Sequence, residues 1–323
     1  MTEITVTDPS ALDFKRFVEM QRAAYAEIIA QTGTDYLFSE PYYRWKYDSP
    51  AGHAKIVLIA DGEGLVAANS MFPVAVACGE TNIIAWQSCD TATHPRGRGK
   101  GYFKACLQAL KAELPENSIF LGFPNKNSMH GFSKLGWTNR ADLNAWIRVS
   151  FGFGFRRFPA VREINQFGDR EEVFFHDLIS DHHAMFRRDA DYMVWRYRKH
   201  PLHKYHIFGW YEGGQLLGVA VLRKAKVSGR EITIVMEIFA QDRHVERGLL
   251  GYAANYSREN GLLYTASINN TQSLAAGLFS GYLPVPGKML PRRPVLMGAP
   301  NGAAAEALWG KPWTVQIGDW DGF

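Results

Sequence analysis

The sequence predicts an α/β protein that contains two copies of one mixed-sheet domain. In the first half a strand, a glycine-rich loop, a helix and a second strand follow one another, which is the order of a crossover between parallel strands. Short elements of the first half recur in the second half at two similar offsets. The 323 residues, 46% of them hydrophobic, are enough for two compact domains.

The crossover occupies residues 83–124. Residues 83–93 and 118–124 are predicted to be buried strands. Between them one helical face is apolar, and Pro115 and Asn117 end the helix. The residues of that face are Phe103, Cys106, Leu107, Leu110 and Leu114.

The loop before this helix predicts an anion site. It alternates three glycines with three cations, namely Gly97, Gly99 and Gly101 with Arg96, Arg98 and Lys100. Glycines let the backbone approach a ligand closely, and the first N–H groups of the helix point toward it. The pattern is not a dinucleotide fingerprint, which requires G-x-G-x-x-G, nor a P-loop, which requires Ser or Thr after Gly-Lys.

The loop instead resembles a known signature. The spacing Arg96-x-x-Gly99-x-Gly101 is similar to the (Q/R)-x-x-G-x-(G/A) motif of the GCN5-related N-acetyltransferase (GNAT) superfamily, whose loop binds the pyrophosphate of acyl-coenzyme A (acyl-CoA). Residues 91–95 resemble the strand and turn before that loop, and residues 123–137 resemble the family's second motif. The resemblance implies two tandem GNAT-like domains, each with a mixed, mostly antiparallel central sheet, a parallel splayed strand pair and flanking helices.

Two offsets, of 150 and 145 residues, locate the second copy. The matched positions are Trp45 with Trp195, Tyr47 with Tyr197, Asn125 with Asn270 and Gly136 with Gly281. Strand–turn–strand segments follow at 55–67 and at 206–220. We therefore expect a GNAT domain that binds acyl-CoA at 1–150 and a degenerate GNAT-like domain at 151–323, which starts at the Gly-, Phe- and Arg-rich residues 151–157.

The second copy lacks the glycine loop. Its counterpart, residues 242–250, contains the acids Asp242 and Glu246, and only Gly248 and Gly251 lie near the expected turn before a helix at 249–260. A pyrophosphate would meet fewer free N–H groups and more negative charge there. Two roles stay open for this domain: it contributes to acceptor binding, or it is purely structural.

The resemblance also implies which residues hold acyl-CoA, either acetyl-CoA or a short 3-hydroxyacyl-CoA. They are Thr91, Ala92, Thr93, Arg96, Gly97, Arg98, Gly99, Lys100, Gly101, Tyr102, Asn125, Asn127 and Phe132. In this family, backbone N–H groups at the strand end, here residues 91–93, stabilise the oxyanion that forms when an amine attacks the thioester.

Direct acyl transfer also needs a group that takes a proton from the acceptor amine. Asp90, at the end of the strand, is the first candidate for this base. The alternative is a carboxylate that caps the turn or pairs with a nearby arginine. His94 and His130 are weaker candidates.

The family often places a tyrosine acid in the second motif, but Phe132 occupies that position here. Ser128 or His130 could replace it. Alternatively no acid is needed, because a thiolate whose conjugate thiol has a pKa of roughly 8.5 is a fair leaving group.

The acceptor is suggested by a finer resemblance to two-domain acyltransferases that N-acylate nucleotide-linked amino sugars in bacterial surface polysaccharide synthesis. It rests on the length and on residues 45–47, 90–95, 101–103 and 313–321. It implies a dTDP- or UDP-linked amino sugar as the small-molecule partner, bound between the repeats. A peptide, polyamine or antibiotic amine as acceptor and a non-catalytic acyl-CoA sensor stay open.

The charge and the apolar pattern of the chain limit the partners and the location that we expect. The net charge of +4 is mild and spread along the chain, so nucleic acid is not an expected partner. No apolar run is long enough for a bilayer span, and no secretory signal pattern is present, so we expect a cytoplasmic protein without a membrane partner. The spacing of His200, His203 and His206 across Pro201 does not favour a metal site.

Overall fold

The computed structural model describes residues 2–150, 158–227, 229–271, 274–290 and 294–320, without the side chains of residues 126–127, 274–276 and 288. The expected start of the second repeat at 151–157 therefore lies outside the described residues. The strands in chain order are β1 Glu3–Thr7, β2 Asp48–Ser49, β3 Gly52–His53, β4 Lys55–Asp61, β5 Gly64–Cys78, β6 Thr81–Thr93, β7 Ser118–Gly122, β8 Thr138–Asp142, β9 Asn144–Val149, β10 Val161–Glu163, β11 Ala184–Phe186, β12 Tyr205–Glu212, β13 Gln215–Val227, β14 Arg230–Ala240, β15 Tyr264–Asn269, β16 Leu283–Pro284, β17 Val295–Asn301 and β18 Trp313–Thr314.

The helices in chain order are α1 Phe14–Ala24, α2 Ala26–Thr32, α3 Glu40–Lys46, α4 Tyr102–Ala112, α5 Lys126–Lys134, α6 Asp169–Asp177, α7 Ala190–Met193, α8 Arg243–Glu259, α9 Leu274–Phe279 and α10 Ala303–Trp309. Short 3₁₀ turns lie at Asp35–Leu37, Pro95–Gly97, Gly287–Met289 and Ile317–Asp319, and a π-helical turn lies at Val194–Arg198.

The chain folds into two compact units. The first takes in the chain up to Arg140 together with Lys199–Leu202 and Leu296–Lys311. The second takes in Ala141–Arg198, His203–Val295 and the chain from Pro312 onward. The division into tandem copies at residues 1–150 and 151–323 stays a prediction about the sequence repeat.

The sheet of the first unit has the strand order β1-β4-β5-β6-β7-β17-β8. Its centre is the long antiparallel hairpin of β5 and β6, and β6 pairs in parallel with β7 across the predicted crossover. Strand β17 lies between β7 and β8 and is antiparallel to β7. Helix α4 buries the predicted apolar face through Cys106, Leu107 and Leu110.

The sheet of the second unit has the order β10-β12-β13-β14-β15-β9-β16, which repeats the pattern of the first. It again contains a long central hairpin, β13 with β14, and one parallel pair, β14 with β15. Helix α8 covers a core of buried apolar residues that includes Trp146, Phe208, Trp210, Leu222, Leu249 and Tyr282. Two mixed sheets, each with a parallel pair beside its long central hairpin and with flanking helices, confirm the predicted fold class.

Helix α8 begins at Arg243, six residues before the predicted start, so the expectation of a turn near Gly248 and Gly251 was wrong. The physical reason is a cap: the Asp242 side chain accepts the N–H of Val245 at 2.9 Å. Both glycines therefore lie inside the helix. Gly248 is required by close packing, because a Cβ there would lie 2.1 Å from the ring of Trp210.

The cysteines do not form disulfides. Cys78, Cys89 and Cys106 are buried thiols. Burial raises the pKa of the Cys106 thiol to about 12, so it is a neutral packing group on the buried side of α4.

Candidate active site

The start of helix α4 is open to an external anion. Gly99 and Gly101 both adopt φ +79°, a conformation that favours glycine, and no atom of the described residues lies within 4 Å of the position that a Cβ would take at either. Gly101 is the N-cap residue and has no side chain to occupy the first N–H groups of the helix. These groups lack acceptors within the helix and are therefore available to a ligand.

Arg96 binds the protein rather than the open side of this loop. Its guanidinium donates to an Asp61 carboxylate oxygen at 3.1 Å and to the carbonyl oxygens of Gly64 and Leu65 at 3.0 and 3.1 Å. The hydrogen bonds from Arg96 lower the pKa of Asp61. Arg96 thus ties the loop to the turn between β4 and β5.

Arg98 and Lys100 stay at the surface of the loop. Arg98 donates to the carbonyl oxygen of Ala24 at 3.2 Å and lies 4.0 Å from a Glu27 carboxylate oxygen, while about half of its side chain remains exposed. Lys100 is exposed. The structure therefore brings two of the three predicted cations to the helix start in an accessible state.

Gly97 and Tyr102 pack the loop against the sheet. A Cβ at Gly97 would lie 2.5 Å from a methyl carbon of Val66 and 3.1 Å from the Tyr102 ring. His94 shapes the same turn, because its Nδ1 accepts the N–H of Arg96 at 3.4 Å. These residues fix the loop conformation.

Strand β6 separates from β7 before it reaches the loop. The two strands pair only at Ala85–Gln87 with Ile119–Leu121, and β6 then continues to Thr93. The register between β5 and β6 shifts between Ala68 and Ser70, opposite Asp90. A bulge is therefore present in the β5–β6 hairpin, and Thr91, Ala92 and Thr93 lie between it and the loop.

Asp90 has a strained backbone at this bulge. Its φ is +50°, which is uncommon for a residue other than glycine. Helix α1 holds the strained peptide: Gln21 Nε2 donates to the carbonyl oxygen of Asp90 at 2.8 Å, and the Tyr25 hydroxyl donates to that of Thr91 at 2.6 Å. Strain of this kind concentrates at functional sites.

The Asp90 carboxylate is bound on both oxygens. Lys46 Nζ lies 2.9 Å from Oδ1, and the Tyr47 hydroxyl donates to Oδ2 at 2.9 Å. The Lys46 side chain is 3% exposed and that of Asp90 is 12% exposed. A cation does pair with this acid, and that cation is a lysine rather than the arginine considered from the sequence.

The phenols around Asp90 are neutral. Burial, followed by the nearby Asp90 charge, raises the pKa of both Tyr43 and Tyr47. The Tyr47 hydroxyl, which also lies 2.8 Å from Ser70 Oγ, is therefore a hydrogen-bond donor to the carboxylate.

The second motif forms helix α5. Asn125 and Ser128 cap its start reciprocally: Asn125 Oδ1 accepts the Ser128 N–H, and Ser128 Oγ accepts the Asn125 N–H, both at 3.0 Å. His130 is exposed. The side chain of Asn127 lies outside the described part of the structure.

Phe132 is a packing residue of the same helix. It is buried, and its ring centroid lies 5.3 Å from that of Phe103 and 4.3 Å from that of Trp137. These contacts attach α5 to the start of α4. Gly136 follows with φ +86°, the left-handed conformation expected after the helix.

The second unit contains an equivalent acid and tyrosine. Glu237 on β14 is fully buried and accepts a hydrogen bond from the Tyr197 hydroxyl. Arg188 donates to both Glu237 oxygens at 2.8 and 3.1 Å and to Asp319 Oδ1 at 2.6 Å. Burial raises the pKa of Asp319 to about 6. The acid of this unit is sealed within a charge cluster.

The segment Trp313–Asp319 binds both strands of the second parallel pair beyond the stretch where they pair with each other. Gln316 Nε2 donates to the carbonyl oxygen of Ile238 on β14 at 3.0 Å, and Gln316 bridges to Asn269 at the end of β15. Asn270 Oδ1 accepts the N–H of Val315 at 2.8 Å. The segment therefore occupies the wedge between β14 and β15, which is the space where the two strands no longer pair with each other. Asp321, part of the finer resemblance, lies outside the described residues.

Sequence reasoning missed Lys46, Tyr47 and Gln21 as neighbours of Asp90. The available signal was the repeated element at residues 45–47. A second acid, Glu237, accompanies its second copy and lies 147 residues after Asp90. Within the described ranges, no group of three or more His, Cys, Asp or Glu side chains is arranged to hold a metal ion. The described helices include none that is long and apolar enough to cross a bilayer.

Comparison with known proteins matches one family model to part of the chain. The model of the acetyltransferase (GNAT) domain matches residues 9–139, which include the loop, the bulge and α5. No curated protein matches the chain significantly.

Solved structures of the same fold match nearly the whole chain. A conserved protein of unknown function from Enterococcus faecalis V583 has a TM-score of 0.66 and 13% identity, over 92% of this chain and 72% of that one. A GCN5-related N-acetyltransferase from Anabaena variabilis has a TM-score of 0.65 and 9% identity over the same shares. Saccharomyces cerevisiae N-myristoyltransferase, solved with myristoyl-CoA, has a TM-score of 0.59 and 9% identity over 92% of this chain and 80% of that one. The model of a GNAT acetyltransferase domain therefore matches residues 9–139, and the likeness to these solved structures, at 9–13% identity, shows a shared fold.

Proposed function

We propose that this enzyme transfers an acetyl or short 3-hydroxyacyl group from acyl-CoA to the amine of a dTDP- or UDP-linked amino sugar, for surface polysaccharide synthesis. The observation that carries the acyl-transfer site is the partly exposed Asp90 carboxylate, on a strained bulge in the strand that leads to the open start of α4. The three buried cysteine thiols suit the reducing cytoplasm, where we expect the protein to act.

The first unit has the features that acyl-CoA requires. The N–H groups of Gly99, Gly101 and Tyr102 would bind the pyrophosphate, and Arg98 and Lys100 would add positive charge. The open space at both glycines suits a close approach of phosphate. The edge of β6 that no longer pairs with β7 would bind the pantetheine amides, and N–H groups of residues 91–93 would face the thioester oxygen.

The reaction then needs only one protein base. The acceptor nitrogen attacks the thioester carbon, the C–N bond forms, the C–S bond breaks and coenzyme A leaves as thiolate. Asp90 takes the proton that the amine loses and passes it to solvent. Phe132 is packed against Phe103 and Trp137, so we assign no general acid at that position.

An aromatic cluster beside Lys46 supports a ring-containing acceptor. Tyr42 and Trp45 stack with centroids 5.7 Å apart, and the His200 ring centroid lies 4.2 Å from that of Trp45. Lys46 Nζ lies 5.4 Å from the centroid of the Tyr42 ring. Tyr42 and His200 are buried, and the half-buried Trp45 is the ring of this cluster that would offer a face to a sugar or a base.

We assign one acyl-CoA to each chain. In the second unit the start of α8 is already capped by the Asp242 carboxylate, which would repel a pyrophosphate. The wedge between β14 and β15, where a pantetheine arm would lie by analogy with β6 and β7, is occupied by Trp313–Asp319.

The test is thiol release from acetyl-CoA and 3-hydroxybutyryl-CoA by the full chain, with dTDP- and UDP-linked amino sugars, spermidine, an aminoglycoside and a lysine peptide as acceptors. Turnover confined to a sugar nucleotide supports the proposal and identifies the acceptor. Turnover confined to the other amines overturns the acceptor assignment. Calorimetric titration with coenzyme A adds a second criterion, since a stoichiometry of two would contradict the assignment to the first unit.

A further inference from the structure

Asp90 is held by groups that the acyl-transfer reaction does not itself require. A base needs one free carboxylate lone pair, a route to the acceptor and nothing more. Here a buried lysine and a buried tyrosine bind the two oxygens separately, each at 2.9 Å. Burying a lysine costs free energy unless its charge is balanced. The burial of Lys46 therefore depends on its ion pair with Asp90.

The lysine changes how the site treats an amine. An isolated carboxylate stabilises a bound amine in its ammonium form, because opposite charges attract most strongly at short distance and low exposure. An ammonium has no lone pair with which to attack a thioester. The positive charge of Lys46 offsets that of Asp90, so the pair as a whole does not favour the ammonium form.

The tyrosine changes where the carboxylate points. Tyr47 has no exposed surface and binds Ser70 as well as Asp90, so its hydroxyl is fixed in the core. With one oxygen bound to Lys46 and the other to Tyr47, the carboxylate plane cannot rotate freely. The side chain of Asp90 remains 12% exposed, so the fixed carboxylate can still be reached from solvent.

We propose that Lys46 and Tyr47 are positioning residues for acyl transfer: Lys46 keeps the acceptor amine in its attacking, neutral form by balancing the Asp90 charge, and Tyr47 orients the carboxylate that receives the proton. This inference rests on the proposed function of Asp90 as the base. It assigns to α3 and the residue after it a role in the chemistry of the first unit.

The other titratable groups near Asp90 do not supply this charge balance. Tyr43 from α3 and Tyr25 from α1 are phenols, and Cys89 on β6 is a buried thiol close to Tyr47. The pKa of Tyr43 is raised by burial, so it carries no charge near neutral pH. Among the described neighbours of the Asp90 carboxylate, Lys46 is the cation in direct contact.

The experiment uses the full chain with Lys46→Met and Lys46→Arg, and measures kcat, the KM of each substrate and acceptor affinity in the presence of coenzyme A. We expect K46M to lower kcat at least about tenfold at an unchanged KM for acyl-CoA, while a cationic acceptor binds about threefold or more tightly. K46R should keep kcat within about threefold of the wild type. Lys55→Met is the matched control, because Lys55 forms an exposed ion pair with Glu113 at 3.0 Å in the same unit.

Opposite shifts of kcat and acceptor affinity separate a positioning role from a structural one. If K46M lost kcat, acyl-CoA affinity and thermal stability together, Lys46 would be structural and the inference would be overturned. Unchanged kcat in K46M would overturn it as well. Should K46M not fold, Tyr47→Phe decides: we expect kcat to fall severalfold at unchanged KM values, and wild-type kcat refutes the inference. Absence of turnover by the wild type with every acceptor would instead overturn the proposed function, and the inference with it.

Discussion

The two units place the same pair of groups, an acid on a central strand and a tyrosine in or just after a helical turn, in different surroundings. Asp90 in the first unit has one lysine partner and keeps 12% of its side chain exposed. Glu237 in the second unit has no exposed surface and shares Arg188 with a second acid, Asp319. The shared fold therefore allows two different environments for this acid. They differ in solvent access and in whether the acid shares its cation with a second carboxylate.

The helices that follow the central strands differ in the same sense. Helix α4 starts at a glycine, Gly101, in open space, whereas α8 starts at Asp242, whose carboxylate accepts the N–H of Val245. An open helix start attracts an anion, and a capped one is already satisfied. In the second unit the protein's own groups occupy both the helix start and the space between the two parallel strands, so neither is open to a ligand.

The largest expected effect comes from removing the acid of each unit. Asp90→Asn should lower kcat/KM by about 10² to 10⁴, the usual contribution of a general base, with little change in acyl-CoA affinity. Glu237→Gln should leave turnover per folded molecule intact and reduce stability. Steady-state kinetics, calorimetry and thermal unfolding of both variants check this. Equal activity losses in the two variants would remove the functional distinction between the units.

The next effect concerns the cations. Arg188→Met leaves two buried carboxylates without their counter-charge, which should cost about 3–5 kcal/mol of unfolding free energy. Lys46→Met should cost less, because water can reach Asp90. The pKa of Asp319, raised by burial to about 6, sets the pH dependence. Below that pH the folded protein takes up a proton there, so the cost of R188M should shrink as the pH falls from 7 to 5.

Denaturant titrations of both variants at pH 5 and pH 7 test this ranking. A loss in R188M that is no greater than in K46M, or that grows toward pH 5, would contradict the account of the buried cluster.

The sequence allowed the local part of this comparison to be predicted. The crossover, the apolar face of α4, the glycine loop and the left-handed Gly136 follow from short-range patterns, and the structure has them. Pairing of β17 with β7 could not be foreseen, because antiparallel contacts between strands more than 170 residues apart leave no local signal. The start of α8 was misplaced because glycines were weighted above the cap at Asp242.

The chemistry around Asp90 was only partly predictable for the same reason. Its place at the strand end followed from the loop, but its partners come from α1, from α3 and from the residue after α3, which are 43 to 69 residues away in the chain. Tertiary contacts at such separation decide whether a carboxylate is paired. The repeated element at residues 45–47 was the available signal, because its tyrosine and an acid both recur in the second half of the chain.

Exchanging the helix starts sharpens the comparison further. Gly101→Asp gives α4 the cap that α8 has, and should weaken acyl-CoA binding about tenfold to a hundredfold, because a carboxylate occupies the N–H groups and repels the pyrophosphate. Gly101→Asn is the matched control: it is similar in size, tolerates a positive φ and is uncharged. Calorimetry with coenzyme A at low and moderate salt separates charge from shape. Equal affinities of the two variants would show that the negative charge does not matter.

The smallest effect is the reverse exchange in the second unit. Asp242→Ala removes the cap of α8, so the unfolding free energy should fall by about 1 kcal/mol. It should not create a second coenzyme A site, since Trp313–Asp319 still bridges β14 and β15. Denaturant titration gives the first quantity and the calorimetric stoichiometry gives the second. A stoichiometry that rose from one toward two would mean that the cap alone closes this unit to the cofactor, and that the filled wedge has no part in the difference between the two units.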